Sequence, residues 1–245
     1  MRNVCALFKR EFASYFATPL AFVFIVIFLI LTGAFTFFLG GFYERGQADL
    51  APFFNYHPWL YLFLMPALSM RLWAEERKSG TIELLMTLPV TLWQAVLGKF
   101  LAAWAFAGVA LALTFPMWIT VNYLGDPDNG TIVGAYIGSF LMAGGFLAVG
   151  SCLSAATRNQ VIAFILTAVL CLFFFLLTGF GPVINVFSGW LPQTIVDALA
   201  SLSFLTHFTS VAKGVIDLRD LLYFATLIVV WLAATAIVLE MKKAD

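Results

Sequence analysis

Six long stretches without a charged residue divide this chain: Phe12–Tyr43, Leu50–Met70, Phe100–Gly125, Asn129–Thr157, Asn159–Val196 and Leu221–Leu239. A helix needs about 20 apolar residues to cross a hydrocarbon core, so each stretch predicts one membrane span. The first begins before the membrane, and its span is placed near Leu20–Phe42. The fifth is long enough to suggest two, but Gly179-Phe180-Gly181-Pro182 interrupts it and leaves a remainder too short to cross. The expectation is an all-α membrane protein of six transmembrane helices, forming one domain over residues 1–245.

Two further segments are apolar without spanning. Val4, Leu7, Phe8, Phe12, Tyr15 and Phe16 form a stripe near helical spacing, with Asn3, Lys9, Arg10 and Ser14 largely elsewhere. Residues 1–18 therefore read as a helix lying in the membrane interface, with Pro19 turning the chain into the first span. Residues 180–219 are apolar but broken by Gly181-Pro182 and Gly189-Trp190-Leu191-Pro192. Such backbone must be buried in protein or lie on the membrane, which predicts short helices over the outer face before the last span.

Charge placement orients the array. With an even number of spans both termini share a side, which receives Arg2, Lys9, Arg10, Arg71, Arg77, Lys78, Lys99, Arg158, Lys242 and Lys243. The other side receives only Arg45, Lys213 and Arg219. Ten against three is a positive-inside bias, so both termini are expected in the cytoplasm.

The densest charge cluster lies in the cytoplasmic segment 75–91, Glu75-Glu76-Arg77-Lys78-Ser79-Gly80-Thr81-Ile82-Glu83-Leu84-Leu85-Met86-Thr87-Leu88-Pro89-Val90-Thr91. It reads as a loop whose middle is a short helix. Gly80 or Thr81 starts it, Glu83 occupies the first turn, and Pro89 stops it. Ile82, Leu85 and Leu88 share one side at i, i+3 and i+6. A capped amphipathic helix at a membrane edge suits the docking of a soluble partner.

An acidic pair, a basic pair, Gly-Thr, a Leu pair and Pro-Val in that order resemble the first cytoplasmic loop of type-2 ABC exporter permeases. Arg10-Glu11-Phe12 with Pro19, Met70-Arg71-Leu72-Trp73-Ala74-Glu75-Glu76, Leu97-Gly98-Lys99-Phe100 and Val215-Ile216-Asp217-Leu218-Arg219-Asp220 are similar to the branch containing gliding-motility-type ABC permeases. The resemblance covers nearly the whole chain. It implies an elbow helix at the N-terminus, a re-entrant element before the last span, and a coupling helix seated in a cleft of a separate cytoplasmic ATPase. Ile82, Leu84, Leu85 and Leu88 would supply the apolar contact with that ATPase. Glu75, Glu76, Arg77 and Glu83 would supply orientation and charge complementarity, with Gly80, Thr81 and Pro89 shaping the element. It further implies a pair of permease copies with two ATPases, room for an accessory membrane protein, and a bacterial cytoplasmic membrane location. A structural subunit of a motility or secretion apparatus, without cargo, is the rival reading.

Composition narrows the chemistry. The chain is 62% hydrophobic and 11% charged with no formal net charge, which excludes an ordinary soluble domain and gives no sign of nucleic-acid binding. Cys5, Cys152 and Cys171 are scattered and form neither a metal spacing nor a disulfide framework. No Gly-x-x-x-x-Gly-Lys-Ser/Thr occurs, so no cofactor is expected in this chain and ATP belongs to a partner. No catalytic constellation points to an enzyme. His57 and His207 are expected at the outer face, bonded to water or backbone. No ionisable residue is expected deep in a span, and Arg71, Glu75 and Lys99 fall at cytoplasmic boundaries from which they reach water. That argues against proton coupling and for an external energy source. Gly134-x-x-x-Gly138, Gly144, Gly145 and Ala148 mark close helix contacts, read first as contacts within one subunit and second as a dimer seam.

Overall fold

The computed structural model describes residues 2–83, 89–174, 194, 201–214 and 217–242, among which the regular structure is helical with no strand. Helix α1 (Arg2–Phe16) is amphipathic. It is followed by α2 (Pro19–Ala34), which runs into a π-helical turn, Phe35–Leu39. Thr18 is extended, as a residue before proline prefers, and this makes the corner between the two helices. Then come α3 (Ala51–Asn55), α4 (His57–Ser69) and α5 (Arg71–Ser79). A capping box opens α6 (Leu92–Ala112): Thr91 accepts from the Gln94 backbone, and the Gln94 side chain answers to the Thr91 backbone. Helices α7 (Phe115–Leu124), α8 (Asn129–Ala156), α9 (Gln160–Leu172), α10 (Phe204–Ala212) and α11 (Leu218–Met241) complete the described chain.

Among the described residues four helical segments are long and apolar enough to cross a membrane: Ala21–Leu39, Leu92–Leu124, Asn129–Ala156 and Leu218–Met241. The second expected span differs from its prediction. It appears as five-residue α3 and thirteen-residue α4, each with a proline in its first turn (Pro52 and Pro58), while Pro66 lies inside α4 and α5 begins after Met70. Of the fifth expected span, Gln160–Leu172 is helical; the Gly179–Pro182 interruption and most of the segment 180–219 before α10 lie outside the described residues.

Helix α8 is the hub. It packs against α4, α5, α6, α9, α10 and α11. Its small residues permit this. A Cβ at Gly138 would lie 3.0 Å from Val211 on α10, one at Gly144 would lie 2.8 Å from Trp104 on α6, and one at Gly150 would lie 1.9 Å from the Ser69 hydroxyl on α4. Helix α1 lies along α6, where Gly98 leaves room for Leu7, and Tyr15 stacks on Phe106 at 5.0 Å.

At about 1.5 Å per residue, α8 is long enough to fix two ends of the bundle. At one end Arg77 reaches the Ala155 carbonyl and Lys242 the Ala156 carbonyl, bringing the ends of α5, α8 and α11 together. At the other end Asp128 caps α8 and, with Asp49 and Lys213, lines a cavity of about 460 Å³.

Candidate functional site at the base of segment 75–91

Segment 75–91 is not a loop throughout. With no breaker before Gly80, α5 carries through Glu75, Glu76 and Arg77 and ends at Ser79. Gly80 adopts φ 72°, ψ 4°, the left-handed conformation that commonly ends a helix, and residues 81–83 turn helical again. Gly80 thus separates two helical pieces, and the second begins at Thr81, one of the two starts that the sequence offered. Leu84, Leu85 and Leu88 lie outside the described residues.

The first residues of the segment face inward. Glu75 accepts a bidentate pair from Arg71, at 2.8 Å from Nε and 3.0 Å from Nη2. Glu76 Oε1 lies 2.7 Å from Lys99 Nζ, and Arg77 Nη1 donates to the Ala155 carbonyl at 2.6 Å. By contrast Thr81, Glu83 and Pro89 are exposed, and Ile82 is half-buried against the core. The segment returns to the bundle through Asn3, whose side chain donates to the Pro89 carbonyl and to Gln94 Oε1, each at 3.3 Å.

Lys99 is the centre of this arrangement. The sequence placed it at a boundary with its amine in water; instead its side chain is 4% exposed. It is held by Glu76, by Glu11 of α1 at 3.2 Å, and lies 5.5 Å from the centroid of the Trp73 ring. Arg10 meets the other Glu11 oxygen at 2.6 Å. Burial works to raise the Glu11 carboxyl, but the charges and hydrogen bonds of Lys99 and Arg10 outweigh it and leave it below the ordinary value. The Arg71 hydrogen bonds likewise hold the Glu75 carboxyl down, against a smaller effect of burial.

A second anchor was not visible in the sequence. Ser154 of α8 accepts from the backbone N–H groups of Trp73 and Ala74, both at 3.1 Å, and donates to the Met70 carbonyl at 2.8 Å. It does for the start of α5 what an N-cap residue does locally, but from another helix. Ser151 accepts from Trp73 Nε1 at 3.1 Å. The only trace in the sequence is Ser-x-x-Ser on one face of an apolar helix. Together Lys99, Ser151, Ser154 and Ala155 tie α5 to α1, α6 and α8, so segment 80–91 leaves from a braced base.

The two histidines are also more deeply placed than expected. His57 Nδ1 and the Tyr61 hydroxyl both meet Ser139 Oγ, at 2.9 and 2.8 Å, in a fully buried site. His207 lies between Asp220, 2.5 Å from Nδ1, and the Ser201 carbonyl, 3.0 Å from Nε2, and so joins α10 to α11. Packing of α8 against α4 and α10 removes both rings from water. Among the described residues no group of three His, Cys, Asp or Glu side chains is arranged to hold a metal ion.

A braced charged helix end on an apolar helical bundle is what a membrane subunit worked by another protein requires. A family model described as ABC-2 family transporter protein matches residues 63–241, from α4 to the end of α11. The chain belongs to the ABC-2 transporter family. No curated protein matches it. As a member of this family the chain is a membrane permease of an ABC transporter, a transport subunit of a kind that normally works with an ATPase partner. The match includes all of segment 75–91 together with Lys99, Ser151 and Ser154.

Proposed function

We propose that this ABC-2 permease is the six-span subunit of an ATP-driven exporter and receives the work of a separate ATPase through segment 80–91. Both termini and that segment face the cytoplasm, and two copies of the permease pair in a bacterial cytoplasmic membrane. Ile82, Leu84, Leu85 and Leu88 make the apolar contact with the ATPase, and Glu83 adds charge to its edge. Glu75, Glu76 and Arg77 fix the base from which the segment projects. When the ATPases close, a push on the segment passes through Gly80 into α5. From there it reaches α8 through Ser154 and α6 through Lys99.

The observation that carries this reading is the brace itself. A surface loop serving only to anchor topology has no need of a buried lysine shared by Glu11 and Glu76, or of a cap supplied by another helix. The ten-to-three distribution of Lys and Arg supports the cytoplasmic placement. Similarity to the gliding-motility branch rests on short segments such as Arg10-Glu11-Phe12.

The test is Leu85→Asp. A carboxylate buried unpaired in the ATPase cleft costs several kcal/mol, so association with the ATPase is expected to fall at least 100-fold while the permease still reaches the membrane at normal levels. Full association in Leu85→Asp, and in Asp variants at 82, 84 and 88, would reduce the segment to a topology anchor.

A further inference from the structure

A polar cavity of about 290 Å³ opens at the corner where α1 turns into α2, lined by Glu11, Tyr15, Arg71, Glu75, Glu76 and Lys99 among others. Next to it lies a groove of about 210 Å³ between α2 and α4, which shares Tyr15, Thr18 and Arg71 with the cavity. The groove is almost wholly apolar, with walls that include Phe24, Ile27, Leu64 and Phe106. Its α2 side is open, since Val23 and Ile27 are 51% and 43% exposed. The two spaces make one amphipathic slot, polar at the helix corner and apolar along the first span.

At the polar end three carboxylates, Glu11, Glu75 and Glu76, meet three cations, Arg10, Arg71 and Lys99, so the charges balance while the hydrogen bonds do not. Glu11 uses one oxygen on Arg10 and the other on Lys99. Glu75 has both oxygens on Arg71. Glu76 is the exception: Oε1 meets Lys99, while Oε2 is buried without a hydrogen-bond donor among the described residues. A buried carboxylate oxygen without a donor marks a place where a donor is missing. Arg71 has the opposite surplus. Its Nε and Nη2 are spent on Glu75, which leaves the N–H groups of Nη1 for an acceptor.

We propose that this slot binds one phospholipid of the adjoining leaflet whose headgroup carries both a phosphate and a primary ammonium. The phosphate meets Arg71 Nη1, the ammonium meets the carboxylates of Glu75 and Glu76, and an acyl chain lies in the groove beside Phe24 and Leu64. A headgroup with both charges matches both surpluses. A trimethylated ammonium has no N–H to give Glu76, and a headgroup without an ammonium offers that oxygen no charged donor. This slot is separate from the ATPase contact, and its occupancy can be read without an ATPase or a cargo.

Full-length protein, purified and delipidated, is offered phosphatidylethanolamine, phosphatidylcholine or phosphatidylglycerol, and retained lipid is measured by native mass spectrometry. One phosphatidylethanolamine per chain is expected, at least 10-fold preferred over the other two. Glu76→Gln is expected to bring the preference over phosphatidylcholine below 3-fold. Ala67→Trp, which fills the groove, is expected to remove retention of every lipid while leaving the Glu76 and Lys99 pair in place. Equal retention of the three lipids by the wild-type protein overturns the proposal, as does an unchanged preference in Glu76→Gln. If Glu76→Gln does not fold, the wild-type lipid series and Ala67→Trp decide: retention that Ala67→Trp does not reduce places the lipid elsewhere.

Discussion

Replacing Lys99 with methionine tests the brace directly. Methionine keeps the length and apolar stem of lysine and deletes the charge. The lysine amine lies 2.7 Å from Glu76 and 3.2 Å from Glu11, with only 4% of its side chain exposed. At an effective dielectric of about 20, each pair attracts by about 5–6 kcal/mol before desolvation is counted. Most of that gain is offset by the cost of taking three charges out of water. The measurable quantity is what remains when one partner goes: Glu76 is left without its cation beside a buried Trp73, and Glu11 keeps only Arg10. Loss of one member of a buried pair costs about 3 kcal/mol or more, which for a chain of this size lowers Tm by about 6–12 °C. The assay is thermal unfolding of the purified permease at neutral pH, followed by loss of monodisperse protein. The triple variant Lys99→Met, Glu11→Gln, Glu76→Gln should regain most of the loss, because the neutral amides no longer carry buried charge. A Tm shift below about 2 °C in Lys99→Met, less than about 1 kcal/mol, would show that water reaches these carboxylates and that the brace is absent.

Other expectations follow from the same region. Among the described residues Gly80 has nothing within 4 Å of an added Cβ, so substitution there meets backbone strain and no clash with them. Gly80→Val should cost about 1–2 kcal/mol of local order at φ 72° and weaken ATPase association, whereas Gly80→Asn, which tolerates that region, should keep most of it in the same pull-down. Because Glu11 has a folded pKa below its ordinary 4.5, its pairing stabilises the protein above that value and is lost as pH falls through the folded pKa. Melting curves between pH 6 and 3 should therefore fall more steeply for wild type than for Glu11→Gln, and parallel curves would show that the pair contributes nothing. Single cysteines at Ser79 and Asn129, in a background without Cys5, Cys152 and Cys171, should label from opposite sides of the membrane; outside labelling of Ser79 in intact cells would invert the proposed topology.

The local sequence was sufficient for the helical class and for the corner between α1 and α2. Long charge-free runs can satisfy their backbone in a bilayer only as helices, and the stripe Val4–Phe16 followed by Pro19 specifies α1 and its corner. Gly80 announced a special backbone position, and the dense charges marked segment 75–91 as a helix end distinct from the apolar bundle. Local sequence misjudged where Leu50–Met70 divides, because whether a proline bends or ends a helix depends on what replaces its missing hydrogen bond. Only the tertiary structure decided what the charges do. Lys99 meets Glu11 across 88 positions of sequence, and Ser154 caps α5 across 81 positions to Trp73. Such pairs depend on which faces of α1, α5, α6 and α8 pack together, and that depends on small residues such as Gly98 and Gly150 admitting a neighbour. A cation in a membrane-edge segment reads the same in sequence whether it reaches water or is sealed under a helix; the packing of α1 over α6 sealed Lys99.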